Sequence, residues 1–283
     1  MPKIRKTLPA ELPEPEVIDV SSLAASLASG AVELVCVLGP TASGKTKYAV
    51  SLARTLQEEL SKPGFPAPMP EIISADSRQV YRGMDIGTGK DLGEYGNVPY
   101  HIIDLAEPGT QYNVHRFCED FSEAYMDIRS RGAVPILCGG TGLYISAVTG
   151  GYDFEERKPL SERNEAGNLY EKTFFIGTLV SREDRNAKID ARLKARLEEG
   201  LIEEIQSLLD GTNPSCNGKP VPAEVLISYG LEYKFVTIYL QGGITREELF
   251  TQLSTAIHQF AKRQMTWFRG MERSGIRIHW VTV

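Results

Sequence analysis

The residues best equipped for chemistry are Gly39-Pro40-Thr41-Ala42-Ser43-Gly44-Lys45-Thr46. Apolar Leu34-Val35-Cys36-Val37-Leu38 precedes them, and Lys47-Tyr48-Ala49-Val50-Ser51-Leu52-Ala53, with helical periodicity, follows. The order therefore reads strand, glycine-rich turn, helix, which is a P-loop in its proper context. Glycines let backbone N–H groups turn inward onto phosphate oxygens, Lys45 adds a point charge, and the Thr46 hydroxyl is suited to ligate Mg²⁺. The stretch is expected to bind a group carrying at least two phosphates.

Two further positions stand where a parallel sheet presents its ligands. The run Glu71-Ile72-Ile73-Ser74-Ala75 ends in Asp76-Ser77-Arg78-Gln79, and Val134-Pro135-Ile136-Leu137-Cys138 ends in Gly139-Gly140-Thr141-Gly142-Leu143-Tyr144. Ligands of open parallel sheets bind at the carboxyl ends of strands, so Asp76 and Thr141 should share an edge with the P-loop. Asp76 is the leading catalytic candidate. A kinase or hydrolase would use it to orient Mg²⁺, and a purely structural aspartate would cap the next helix. The second strand ends in Cys-Gly-Gly where an ATPase of this kind would place an aspartate, so that loop suits close backbone approach. A basic patch lies further on: Lys262, Arg263, Arg269, Arg273 and Arg277 stand against one acid, Glu272, with Trp267 and Phe268 between them. Such a mixture suits phosphates and unstacked bases, or else forms the solvated face of a helix with two core aromatics.

The elements that must position these residues follow from the patterning. Strands are expected at residues 34–38, 71–75, 98–105, 134–138, 173–180 and 276–283. Helices are expected over 21–29, 47–60, 113–131, 184–209 with a break at Glu199-Gly200, and 245–269 behind a Thr245/Glu248 capping box. The fold class is α/β: a P-loop NTPase-like three-layer fold with a parallel central sheet and additional C-terminal helices. Residues 1–30 read as an N-terminal tail and 31–283 as the core, with 151–172 a polar stretch of no clear period. The helical C-terminal part spans 185–283. Residues 61–70 and 210–222 are rich in turn formers and read as loops. Asp104 reads as an ordinary loop acid, and His101 as a packed or capping residue without a partner at ligand spacing.

The 42% hydrophobic content is enough for a full core over 283 residues. The net charge of −6 argues against an unspecialised nucleic-acid binder yet leaves room for a local basic patch. Cys36, Cys118, Cys138 and Cys216 have no metal spacing, which favours a reducing, cytoplasmic location. Prolines and glutamates follow Lys3, Arg5 and Lys6 in place of an apolar segment, so no secretory signal is expected. No run is long enough to span a membrane.

Together, four segments resemble the tRNA dimethylallyltransferases, or isopentenyl-pyrophosphate transferases. They are the P-loop; Ser74-Ala75-Asp76-Ser77 through Val80-Tyr81-Arg82-Gly83-Met84-Asp85-Ile86-Gly87-Thr88; Gly139-Gly140-Thr141-Gly142-Leu143-Tyr144; and Ala261-Lys262-Arg263-Gln264-Met265-Thr266-Trp267-Phe268-Arg269. The first alone is generic, whereas the ordered set is specific. The resemblance implies transfer of a dimethylallyl group from dimethylallyl diphosphate to the N6 amine of an adenosine beside the tRNA anticodon. Gly39, Thr41, Ala42, Ser43, Gly44, Lys45 and Thr46 would hold the diphosphate, Thr46 with Mg²⁺. Asp76 would be the general base, with Thr141 near the reacting groups. The anticodon stem-loop would meet Asp76, Ser77, Arg78 and Gln79, and also Lys262, Arg263, Gln264, Met265, Thr266 and Trp267. The expected partners are tRNA and the prenyl diphosphate, with no membrane, and the expected state is a monomer.

Two departures bear on that reading. The family's helical insertion after Gly-Gly-Thr-Gly-Leu-Tyr, which grips the anticodon stem, is here reduced to about residues 151–172. The family also has a diphosphate-holding arginine where this chain reads Glu224-Val225-Leu226-Ile227-Ser228-Tyr229-Gly230. Arg192, Arg196 and Lys234 are the candidates to replace it. The alternatives are an adenylate isopentenyltransferase acting on a free nucleotide, a catalytically weak paralogue that binds RNA or nucleotide, and a small-molecule P-loop kinase.

Overall fold

A computed structural model describes residues 12–150 and 169–283 of the chain. Its centre is a six-stranded, wholly parallel sheet in the order β3-β2-β4-β1-β5-β6. The strands are β1 (Leu34–Leu38), β2 (Glu71–Ser74), β3 (Tyr100–His101), β4 (Pro135–Gly139), β5 (Thr173–Leu179) and β6 (Ile278–Thr282). Because the chain leaves β1 in one direction for β2 and returns past it from β4 to β5, the crevice beside β1 is a topological switch point.

Period-two alternation sorts the strand side chains into two cores. On one face Val35, Val37, Ile72, Ile136 and Ile176 pack with α1 (Val20–Ala28) and α2 (Lys45–Leu60). On the other, Leu34, Cys36, Leu38, Ile73, Leu137 and Phe175 pack with α3 (Val114–Ser130), α4 (Gly142–Gly150) and the C-terminal helices. Those are α5 (Arg182–Glu199), α6 (Leu201–Asp210), α7 (Ala223–Tyr229), α8 (Leu231–Leu240) and α9 (Arg246–Arg273). The three-layer α/β expectation therefore holds. No helix among the described residues is long and apolar enough to cross a membrane.

Local chemistry explains most of the boundaries. Helix α3 starts at Asn113, whose side chain accepts from the Arg116 N–H, and buries Phe117, Phe121 and Ile128 along one face. Helices α5 and α6 part at Gly200, which adopts φ 107°. The Thr245/Glu248 capping box opens α9 as expected, but the helix continues to Arg273, past its expected end.

One expectation is corrected, and two further stretches take regular structure. The strand expected over 98–105 shrinks to two residues, because Ile102 and Asp104 both take positive φ, 61° and 57°, and turn the chain out of the sheet. Residues 142–150 form α4. Residues 223–240, unassigned, form α7 and α8 around the break at Gly230. The helix expected in the N-terminal tail is present as α1, and its Leu23, Ala24 and Leu27 belong to the core. Of the polar stretch at 152–172, residues 152–168 lie outside the described residues.

Candidate active site

The P-loop joins β1 to α2 through two left-handed residues, Ala42 at φ 61° and Gly44 at φ 78°. Gly44 occupies the cap position of α2 with no side-chain cap, so the first N–H groups of the helix are left for a ligand. The loop is pinned from behind. Ser43 Oγ and Thr178 Oγ1 are 2.6 Å apart in a buried hydrogen bond. A Cβ on Gly39 would stand 2.1 Å from Thr178 Oγ1, so only glycine fits there. Lys45 opens α2, enclosed by protein except toward the cavity, and desolvation holds its ammonium below the usual lysine range despite the acids nearby. Its neighbour Thr46 contacts the Cys138 thiol, which burial pushes up to about 12. That strand end therefore presents a neutral thiol where a carboxylate would activate water.

Asp76 and Thr141 meet at the adjoining ends of β2 and β4. The Thr141 N–H donates to Ala75 O at 3.3 Å, and the Ser77 N–H donates to Thr141 Oγ1 at 3.3 Å. Asp76 Oδ1 accepts from the Arg78 N–H at 2.9 Å, capping a turn and no helix. This is its one hydrogen bond among the described residues, so its second carboxylate oxygen is open. Gly139 permits the approach of the two strand ends, since a Cβ there would lie 2.3 Å from Ala75 O. Lys45, Thr46, Asp76 and Thr141 all line one cavity of about 870 Å³.

The opposite wall of this cavity is helical. It takes Lys188, Arg192 and Arg196 from α5, Glu232 and Lys234 from α8, and Ile257, Phe260, Arg263, Gln264 and Trp267 from α9. The segment between β2 and β3 closes one side and is held by two anchors, half-buried Glu204 and buried Lys90. Glu204 of α6 accepts from the N–H groups of Asp85 and Ile86, each at 2.7 Å, and of Gly87 at 3.0 Å, and from the Tyr233 hydroxyl at 2.8 Å. Lys90 donates to Tyr81 O and to the carboxylates of Asp85 and Asp104. Gly89 O, fixed between them, accepts from Gln79 Nε2 at 3.1 Å and so aims Gln79 along the cavity wall. Asp104 is thus a structural counter-ion, and His101 pairs with Glu71 at 2.6 Å, away from the site.

The basic α9 segment divides by helical phase. Lys262, Arg263, Thr266 and Trp267 are exposed, whereas Gln264 and Met265 turn inward at 8% and 7% exposure. Gln264, expected among the RNA-facing residues, links the two phosphate-side loops: Thr41 N–H donates to its Oε1 at 2.8 Å, and its Nε2 donates to Gly140 O at 2.8 Å. Met265 packs in the core. Both occupy interior positions, Gln264 with a face on the cavity. Trp267 donates through Nε1 to Ser146 Oγ at 3.1 Å and lies across Gly142, where a Cβ would meet its ring at 2.3 Å. Of the aromatics in the patch, only Phe268 is in the core. Glu204, Lys90 and Phe260 were not singled out from sequence, and only the helical phase of α9 carried a signal, for Phe260.

The fold and its cradle define an α/β P-loop protein whose anion site faces a carboxylate and a cationic helical wall. The chain belongs to the IPP transferase family, whose model matches residues 79–173 and 155–271. It is 43% identical to tRNA dimethylallyltransferase 2 of Bacteroides fragilis over 303 residues, covering 88% of this chain and 92% of that protein. It is 44% identical to tRNA dimethylallyltransferase 2 of Porphyromonas gingivalis over 301 residues, covering 88% and 93%. Among solved structures it resembles the full-length tRNA isopentenylpyrophosphate transferase of Bacillus halodurans, with 28% identity and a TM-score of 0.69 over 88% of this chain and 89% of that one. A eukaryotic dimethylallyltransferase described as acting on tRNA shares the fold, with 20% identity and a TM-score of 0.69 over 89% of this chain and 74% of that one.

Proposed function

We propose that this protein transfers a dimethylallyl group from dimethylallyl diphosphate to the N6 amine of an adenosine adjacent to the anticodon of tRNA. The observation that carries this reading is that one cavity joins the P-loop, with Lys45 and Thr46, to the Asp76 carboxylate and opens beside exposed Arg263 and Trp267. The N6 nitrogen attacks the prenyl carbon, the carbon–oxygen bond breaks toward the diphosphate, and Asp76 takes the proton from nitrogen. Inward-facing N–H groups and Lys45 meet the charge that develops on the departing oxygen. Thr141 holds the Ser77 backbone and so keeps Asp76 at the edge where nitrogen arrives. Such a recessed centre requires the adenine to leave its stack. From Arg263 on the cavity wall, exposed Lys262 and Thr266 extend beyond it, further than a mononucleotide needs, which favours a polynucleotide substrate.

The donor set fits Mg²⁺. Among the described residues no cluster of three acid, histidine or cysteine ligands exists, and Mg²⁺ characteristically takes only one or two protein ligands beside phosphate oxygens and water. Thr46 at the base of the cradle would be its ligand, and when bound the ion adds charge neutralisation at the leaving group. The protein is taken to act as a monomer in the reducing cytosol, in keeping with its free cysteines. The same reading places a reduced anticodon-gripping insertion at 151–172. A chain shorter than its relatives is supported by the 303-residue alignment, longer than this 283-residue chain.

Purified protein given dimethylallyl diphosphate, Mg²⁺ and either unmodified tRNA or AMP tests the proposal by mass spectrometry. N6-prenyl adenosine is expected in tRNA alone. Product on AMP alone would transfer the protein to the free-nucleotide enzymes, and product on neither would refute the reaction.

A further inference from the structure

The cationic wall of the cavity holds more positive charge than its own partners satisfy. Arg192 and Arg196 stand one turn apart on α5, and both lean on Gly89: a Cβ there would lie 1.7 Å from Arg196 Nη2 and 2.2 Å from Arg192 Nη2. The two terminal nitrogens are therefore neighbours, no further apart than those distances together. Two guanidinium groups in contact repel each other unless an anion lies between or beside them.

The anions present do not complete the pair. Among the described residues Arg192 has one good partner, Asp91 Oδ2 at 2.8 Å, and a long contact to Gly89 O at 3.4 Å. Arg196, with a side chain only 11% exposed, has one ion pair, to Glu232 Oε1 at 3.6 Å, and no hydrogen bond among the described residues. Its side chain lines the cavity that the P-loop also lines. An arginine this enclosed ordinarily has its donors satisfied. Burial, together with Arg192, lowers the Arg196 pKa, and burial raises that of Glu232, so neither group is in its preferred electrostatic surroundings.

We infer that Arg196, paired with Arg192, is the second cationic contact to the diphosphate of the prenyl donor, reaching it from α5 while the P-loop holds it from the sheet. The inference rests on the proposed function for the identity of the ligand. It supplies the contact for which segment 224–230 has no arginine, and it assigns Glu232 the role of a resident counter-ion that competes with the diphosphate. Arg78, which lies 3.4 Å from a Cβ built on Gly230, and Lys234 border the same wall, but neither makes the close pair that Arg196 does.

Calorimetric titration of the full chain with inorganic pyrophosphate and Mg²⁺ reads this directly. Arg196→Met is expected to weaken pyrophosphate binding about tenfold or more and to raise KM for dimethylallyl diphosphate in parallel, with tRNA affinity unchanged. Arg196→Lys should recover part of the loss. Glu232→Gln should tighten pyrophosphate binding, an effect in the opposite direction that a destabilised fold cannot mimic. If Arg196→Met fails to fold, Arg196→Lys and Glu232→Gln decide the matter. Wild-type affinity in the Arg196 variants, or an unchanged or weakened affinity in Glu232→Gln, overturns the assignment while leaving prenyl transfer in place. Wild-type protein that neither binds pyrophosphate nor prenylates tRNA overturns both.

Discussion

The two walls of the cavity are built by different means. On the sheet side, the phosphate cradle is contiguous chain: residues 39–46 supply the turn, the N–H groups, the ammonium and the hydroxyl within a single strand–loop–helix unit. On the helical side, the lining residues come from α5, α8 and α9, spread over residues 188–267, and they converge only because those helices pack on one face of the sheet. A backbone cradle is fixed by local conformation, since Ala42 and Gly44 in the left-handed region aim the N–H groups. A side-chain wall is fixed by long-range contacts such as Glu204 on residues 85–87, Gln264 between Thr41 and Gly140, and Ser254 on Asp190 at 2.6 Å. The first takes its shape from its own turn and is only braced from outside, by Thr178 and Gln264, whereas the second is shaped by distant packing throughout.

Variants at each wall sharpen that contrast. The largest effect belongs to the sheet edge: Asp76→Ala should lower the rate of prenyl transfer by about 10²- to 10⁴-fold, the span of general-base contributions, while pyrophosphate binding stays close to the parent. A variant within a few-fold of parental activity removes Asp76 from the role of base. Glu204→Ala should come next, because it orphans the N–H groups of Asp85, Ile86 and Gly87 together. A stability loss on the order of 1–3 kcal/mol is expected, read by chemical denaturation, with a raised KM for the prenyl donor as the segment at 84–90 loosens. An unchanged KM would show that the helical wall does not depend on this anchor. The smallest effect is at the rim: Lys262→Ala with Arg263→Ala should weaken tRNA binding roughly tenfold and flatten its salt dependence by about two counter-ion contacts, with activity at saturating tRNA retained. An unchanged salt slope would return those side chains to a merely solvated face.

The same contrast governs what the sequence discloses. The P-loop, its flanking strand and helix, and the placing of Asp76 and Thr141 on one edge were legible because each depends on a short segment and on the directionality of a parallel sheet. The turn at Ile102 and Asp104 was not, since two non-glycine residues take positive φ there, and Asp104 is held by Lys90 from across the loop. Helix α4 was hidden by the glycines that open it, which read as loop although they serve close approach to Ala75 and Trp267. The inward turn of Gln264 and Met265 was present in the phase of α9, whose buried positions Leu253, Ile257, Ala261, Phe268 and Met271 set the core face. Reading the Lys-Arg-Gln-Met-Thr-Trp segment as a continuous patch overlooked that phase. No sequence signal tied Glu204 to residues 85–87, because an acid on a helix surface is ordinary until the fold brings three N–H groups to it.

The central claim is that the P-loop cradles a diphosphate leaving from carbon, with an adenine amine as acceptor. The most direct measurement follows pyrophosphate release and prenyl incorporation together in one reaction of protein, Mg²⁺, dimethylallyl diphosphate and unmodified tRNA, with nuclease mapping of the product. The account predicts one pyrophosphate per N6-prenyl adenosine, located beside the anticodon, and no reaction when ATP replaces the prenyl donor. Phosphate release from ATP without any prenylated nucleoside would contradict it.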